Sequence, residues 1–192
     1  DSGRCSNNSG ALLHTPLEQV LVNAAASRAR GIGGIKLKVG QPDQALDIQR
    51  VEAVRKHLGD HTPLMVDANQ QWDRPTAQRM CRIFEQFNLV WIEEPLDAYD
   101  NEGHAALAAQ FDTPIATGEM LTSAAEHAEL IRHRAADYLM PDAPRVGGIT
   151  PFLRIAAQAE NAGLALGPHF AMELHVHLGA VYATEPWVEH FD

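Results

Sequence analysis

The chain has 192 residues, 45% of them hydrophobic and 21% charged, the make-up of a globular domain able to bury one substantial core. A formal net charge of −10, with no Lys/Arg cluster, argues against a nucleic-acid surface. Cys5 and Cys81 fit neither a disulfide framework nor a zinc spacing, and no run of 18 apolar residues occurs, so a cytoplasmic protein without a membrane span is expected.

Residues 1–12, opening DSGRCSNNSG, are small and polar and read as an irregular or disordered start. From residue 13 to 192 the pattern alternates. A helix is expected over Pro16–Arg30, where proline suits the first turn and Gly31 the stop. The strand Ile35–Val39 precedes a helix over Asp43–Leu58 with Leu46, Ile48, Val51 and Val54 as its apolar set. Strands over Leu64–Asp67, Leu89–Glu93, Ile115–Glu119, Tyr138–Asp142 and Leu164–His169 follow. The intervening helices are expected over Arg74–Phe87, Glu102–Phe111, Ser123–Arg134 and Pro151–Ala162, with a final one over Glu173–Ala183. Short apolar strands alternating with longer helices mean parallel βαβ units.

Asp67, Glu93 and Glu119 each end a strand, and the two intervals between them are both 26 residues. One strand, helix and two loops of a (β/α) barrel consume about that length, since eight units take roughly 250 residues. Groups repeating at that period converge on the C-terminal mouth of the barrel. Three carboxylates there repel one another unless they are protonated or share a cation, and all-oxygen ligation suits magnesium. The same phase adds Lys36 and Lys38 upstream and Asp142 and His169 downstream. An open doubly wound sheet, the competing architecture, gathers ligands at one switch point rather than at every strand end. Polar residues at six successive strand ends favour the α/β barrel. Lys36 and Lys38 alternate about Leu37, so a strand aims both one way, and each disfavours the other's protonation. His169 with Asp142 reads as a second acid/base pair, the carboxylate fixing the imidazole tautomer.

The motifs K-x-K at Lys36 and Lys38, D-A-N at Asp67–Asn69, I-E-E-P at Ile92–Pro95, G-E at Gly118–Glu119, P-D-x-x-R-x-G-G at Pro141–Gly148 and H-F at His169 together resemble the enolase superfamily, mandelate racemase subgroup. The stretches LKVGQPD, MVDANQQW, WIEEPLDAYD and PHFAMELH are further similar to its acid-sugar dehydratases of the L-talarate/galactarate type. The resemblance implies that Asp67, Glu93 and Glu119 ligate Mg²⁺, with Glu94 hydrogen-bonded nearby. It implies Lys38 as a base on one face of an acid-sugar substrate, with Lys36 beside it, and His169, oriented by Asp142, as the acid/base on the other. Asn69 would contact substrate or metal, and Glu189 would be the electrophile that donates to a substrate carboxylate oxygen. The implied reaction is α-proton abstraction to an enediolate and β-elimination of water, by a hydro-lyase that is a homo-oligomer at full length.

Family members also carry an N-terminal capping domain. By comparison with them, this sequence reads as an incomplete barrel lacking the cap and the first strand, that strand being absent or replaced by DSGRCSNNSG. Two further readings are kept. One is a truncated remnant that binds or associates without turnover. The other is a racemase or epimerase using the same Lys38/His169 pair. Several signals are read as structural: His175 and His177 as packing or surface residues, Gly147 and Gly148 as a turn, and Trp72 and Trp91 as core, with Trp72 able to border the site. Arg145 is open between pairing with substrate and pairing with a neighbouring acid.

Overall fold

The computed structural model describes residues 4–7 and 12–191. Among these, eight parallel strands form one sheet: β1 Arg4–Asn7, β2 Gly34–Lys38, β3 Leu64–Asp67, β4 Ile92–Glu93, β5 Ile115–Thr117, β6 Tyr138–Leu139, β7 Ala165–Leu166 and β8 Trp187–His190. The helices between them are α1 Leu17–Ala29, α2 Gln44–Leu58, α3 Arg74–Phe84, α4 Asn101–Gln110, α5 Ala124–Arg132, α6 Ile149–Asn161 and α7 Met172–Gly179. The spatial order is β7-β6-β5-β4-β3-β2-β1-β8, so β1 to β7 lie side by side in chain order and β8 returns to pair with β1. This is the barrel that the polar phase implied.

The helix starts follow from their side chains. Asp43, Asp73, Asp100 and Ser123 each accept a hydrogen bond from a first-turn backbone N–H, at the heads of α2, α3, α4 and α5. Strand side chains divide by parity. Ile35, Leu37, Leu64, Val66, Ile92 and Ile115 point outward and pack with Val51, Val54, Met80 and Phe84 of the helices. The alternate residues Met65, Trp91, Ala116, Met140 and Trp187 form a second, apolar layer inside the barrel. Trp91 joins three walls of that layer, with ring centroids 4.9 Å from Tyr138 and 6.2 Å from Trp187.

At the opposite end from the charged residues, buried Arg55 ties two loops together. Its guanidinium donates to the carbonyls of Phe87 (2.8 Å), Asn88 (2.9 Å), Gly59 (3.0 Å) and Thr62 (2.7 Å). Backbone acceptors that precede β3 and β4 are thereby satisfied by one side chain.

Two expectations are corrected. The first barrel strand is present: Arg4–Asn7 pairs in parallel with β2 (Ser6 with Gly34) and with β8 (Ser6 with Glu189). RCSN carries no apolar alternation that would mark it in the sequence, and its strand state shows in the ladder pairs with β2 and β8. The remaining residues of the expected irregular start, 1–3 and 8–11, lie outside the described residues. The final helix ends at Gly179, before Ala183, and the chain turns through Pro186 into β8, which periodicity did not reveal. Gly179 is where that return passes closest: a Cβ there would lie 2.8 Å from the Pro186 ring.

Candidate active site

Inside the barrel, two-residue spacing stacks charge over hydrocarbon. Met65 is followed by Asp67, Trp91 by Glu93 and Trp187 by Glu189, and the apolar member of each pair belongs to the inner layer. Lys36 and Lys38 project to the same interior from β2. The strand register sets Lys38 beside Asp67 and Asp67 beside Glu93. Glu119, Asp142 and His169 stand in the loops just beyond β5, β6 and β7.

Oxygen atoms of Asp67, Glu93 and Glu119 lie within 4.8 Å of one another, and all three residues are buried. Lys36 Nζ is 2.6 Å from Glu93 Oε1, forms an ion pair with Glu189 and lies 3.9 Å from Asp67 Oδ2. Lys38 Nζ pairs with Asp67. His169 Nδ1 is 2.9 Å from Asp142 Oδ2, while its Nε2 faces Glu119 Oε2 at 3.6 Å. Asp142 also accepts from the backbone N–H of Arg145 (3.0 Å), and Glu189 accepts from that of Phe170 (2.6 Å). Along the strand order, the acidic arc of β3, β4 and β5 is bracketed by the lysines on β2 and by the His169–Asp142 pair at β6 and β7. Only the bracketing groups are partly exposed, Lys38 at 19% and His169 at 18% of their side chains.

The electrostatics follow from burial. It pushes Glu93 well above the carboxylate range, with Asp67 adding repulsion, and raises Glu119 to about 7 and Glu94 to about 8. Burial alone would lower Lys36. The carboxylates of Glu189, Glu93, Asp67 and Glu119 outweigh it and hold the ammonium well above its ordinary value. The mutual depression expected of the two lysines therefore does not govern Lys36. Glu189 resists burial for the matching reason, as Lys36, His169 and the Phe170 N–H keep it below its usual value. Glu119 Oε2 is buried without a hydrogen-bond partner. A trio of hard oxygens with an unpaired acceptor and raised proton affinity suits a small divalent cation.

The backbone that holds this arc is strained where it turns. Gly118, immediately before Glu119, has φ +125°, a conformation L side chains rarely adopt. Asn69 (φ 42°), Gln70 (φ 64°) and Glu94 (φ 39°) adopt left-handed conformations without being glycine. Glu94 is locked by Gln70, whose amide donates to its Oε2 at 2.9 Å and whose Oε1 accepts from Ala98 N–H. Asn69 donates its backbone N–H to Asp67 Oδ1 (2.9 Å) and, with Lys38 and residues 12–16, lines an open cavity of about 480 Å³ beside the site.

Some residues read as structural from the sequence do more than pack. Trp91 is core, but its Nε1 also donates to Glu93 Oε2 at 2.9 Å. His104, His127 and His175 are buried near the starts of α4, α5 and α7, each with Nδ1 bonded to a backbone carbonyl four or five residues back. The shared feature is a histidine four residues past the helix cap, a spacing visible in the sequence but tied to no strand end. Trp72 packs in the outer core against Phe84, and His177 is exposed. Gly147 and Gly148 form the turn into α6, and Arg145 lies beside Asp142 with Nε 3.8 Å from its Oδ2.

Residues 19–192 match the family described as Enolase C-terminal domain-like, and the chain belongs to it. Among curated proteins it is 67% identical, over all 192 residues, to the L-talarate/galactarate dehydratase of Salmonella typhimurium, covering 48% of that protein. Among solved structures it is similar to L-talarate dehydratase from Polaromonas sp. JS666 complexed with Mg and L-glucarate, at 83% identity and TM-score 0.97, covering the whole chain and 53% of that one. A 3,6-anhydro-alpha-L-galactonate cycloisomerase of Streptomyces coelicolor is 38% identical over 177 residues, which is 92% of this chain and 49% of that protein. The chain spans about half the length of the curated relatives it matches.

Proposed function

We propose that the chain carries the catalytic barrel of a Mg²⁺-dependent dehydratase for acid sugars of the galactarate and L-talarate class. The observation that carries this reading is the bracketing of the Asp67/Glu93/Glu119 oxygens by two separate proton-transfer groups, Lys38 and the His169–Asp142 pair. Likeness to the Salmonella dehydratase, and to a Polaromonas dehydratase structure containing Mg and L-glucarate, supports the substrate class.

Asp67, Glu93 and Glu119 would hold Mg²⁺, which supplies Lewis-acid stabilisation of charge developing on a substrate carboxylate. The apolar layer beneath keeps the site in a low-dielectric surround. Lys38 Nζ and His169 Nε2 exchange protons with opposite faces of the substrate. One removes the α-proton, the C–H pair becomes the C=C bond of the enediolate, and the β-C–O bond then breaks. The departing hydroxyl leaves as water with a proton from His169, or from Lys38 for the opposite configuration, and the enol product tautomerises to the keto-deoxy diacid. Asp142 keeps the His169 proton on Nδ1, freeing Nε2 for exchange. Glu189, ionised beside Lys36, would donate to a substrate carboxylate oxygen only after taking a proton. Asn69 contacts the substrate from the cavity beside Lys38.

Groups on both faces also favour a second reading, racemisation or epimerisation. A cytoplasmic setting and self-association of the full-length protein belong to the same proposal, the former supported by a free, buried Cys81 and by metabolic relatives. The test is product analysis with galactarate and L-talarate, with and without Mg²⁺. A Mg²⁺-dependent keto-deoxy diacid supports dehydration. An epimer alone supports the second reading, and no conversion by folded protein removes both.

A further inference from the structure

His175 lies outside the ring of groups just described, yet it is fully buried directly behind two of them. Its Nε2 accepts the backbone N–H of Ala143 at 3.1 Å, and its Nδ1 meets the carbonyl of Phe170 at 3.2 Å. Ala143 follows Asp142, and Phe170 follows His169. One imidazole therefore joins the loop after β6 to the loop after β7, one residue from each member of the 2.9 Å Asp142–His169 pair. The bonding pattern fixes the ring. Accepting at Nε2 leaves the proton on Nδ1, which donates to Phe170. The ring face is clamped as well: Phe152 of α6 stacks on it with centroids 5.4 Å apart at 24°.

The linkage matters because the two loops have few other ties. β6 and β7 are each only two residues long, with ladder pairs Tyr138–Ala165 and Leu139–Leu166. Beyond the ladder, Gly167 N–H reaches Leu139 O (3.0 Å) and His169 N–H reaches Pro141 O (3.2 Å). Phe170 then departs in a left-handed conformation, φ 57°, with its N–H on Glu189. The Asp142 and His169 side chains thus project from backbone held by short ladders, and a displacement of about 1 Å in such a pair is worth up to roughly 10²-fold in rate.

We propose that His175 is a positioning residue for the catalytic pair: its neutral Nδ1–H imidazole cross-links the Ala143 and Phe170 backbone so that Asp142 and His169 stay in register. Burial lowers the proton affinity of His175, which agrees with a neutral ring even though Asp142 and Glu189 favour the charged form. His169 also faces it and opposes protonation. The proposal rests on the proposed function only for its kinetic readout.

The experiment uses the Mg²⁺ form of the full polypeptide that contains this chain, with His175→Leu, His175→Gln and, as the exposed control, His177→Leu. ¹⁵N-edited NMR of the wild type should show His175 as the Nδ1–H tautomer and a hydrogen-bonded Nδ1 proton on His169. In His175→Leu that His169 proton should broaden or vanish, and kcat should fall about 10- to 100-fold. KM and Mg²⁺ affinity should stay within about threefold, since the metal trio sits on other strands, a local effect of the kind expected for a lost supporting contact. Gln, which keeps one donor and one acceptor, should restore most of the loss, and His177→Leu should match wild type.

A wild-type His175 found as imidazolium or as the Nε2–H tautomer would overturn the proposal, even if the Leu variant fails to fold. So would an intact His169 signal with unchanged kcat in His175→Leu, or Mg²⁺ affinity and kcat falling together in Leu and Gln alike. Because the NMR arm needs no turnover, a wild type that converts neither acid sugar would count against the proposed function alone.

Discussion

Trp91 Nε1 donates a 2.9 Å hydrogen bond to Oε2 of Glu93, two residues further along the chain. Glu93 Oε1 is taken by Lys36 at 2.6 Å, so both oxygens of this central carboxylate are oriented by protein donors. One residue thus serves the apolar floor through its ring and the acidic arc through its N–H. That explains a buried indole beneath charged groups, where Tyr138 and Trp187 complete its packing.

Removing only the N–H should therefore weaken the site more than the fold. In Trp91→Phe, Mg²⁺ affinity measured by calorimetry should fall about tenfold, the usual cost of losing a partner behind a ligand. The thermal midpoint should drop by only a few degrees. Unchanged Mg²⁺ affinity would mean that the indole N–H does not orient Glu93.

Stability of the Mg²⁺-free protein should depend on pH in a direction set by the raised carboxyls. Glu119 and Glu94 ordinarily titrate near 4.5 and stand at about 7 and about 8 in the fold. Across that interval the folded chain retains protons that the unfolded chain has released, so stability is fullest below 4.5 and falls as pH rises through about 7 to 8. Glu189, shifted downward, and Lys36, shifted upward, act outside this window. Mg²⁺ competes with the proton for the Glu119 oxygens, so its gain in melting temperature should be larger at pH 8 than at pH 6. Scanning calorimetry at both values checks this. A gain that shrinks with rising pH would contradict it.

Arg55 gives a prediction about the fold alone. Replacing it by Lys keeps the charge but cannot reach four carbonyls at once. Arg55→Lys should lose about 2–3 kcal/mol in denaturant titration, the scale of one or two buried acceptors left unpaired. The Lys36–Glu93–Glu189 contacts lie at the other mouth, so Mg²⁺ affinity should not change. A loss within 0.5 kcal/mol, the range of ordinary surface changes, would show that water replaces those bonds.

The equal spacing of Asp67, Glu93 and Glu119 made the barrel and its acidic arc legible, because parallel βα units convert sequence period into position around one mouth. Lys36, Lys38, Asp142 and His169 were found by the same logic, and all stand at that mouth. Strand β1 was not legible, since RCSN lacks apolar alternation and its strand state shows in the ladders on both sides. Strand β8 follows a helix and a short turn, and Glu189 was reached through family likeness instead. Trp91 and His175 looked like packing residues because hydrophobic bulk and helical position are visible in sequence, while a bond from one ring nitrogen is not.

The central claim is that two proton-transfer groups work across one cation site, and it is tested most directly by turnover in the full polypeptide. Galactarate and L-talarate are supplied with and without Mg²⁺ to the wild type, Lys38→Ala and His169→Ala, with Mg²⁺ affinity measured alongside. The account predicts a Mg²⁺-dependent keto-deoxy diacid from the wild type, falling at least about 10²-fold in either variant while both still bind Mg²⁺. Retained turnover in either variant would contradict it.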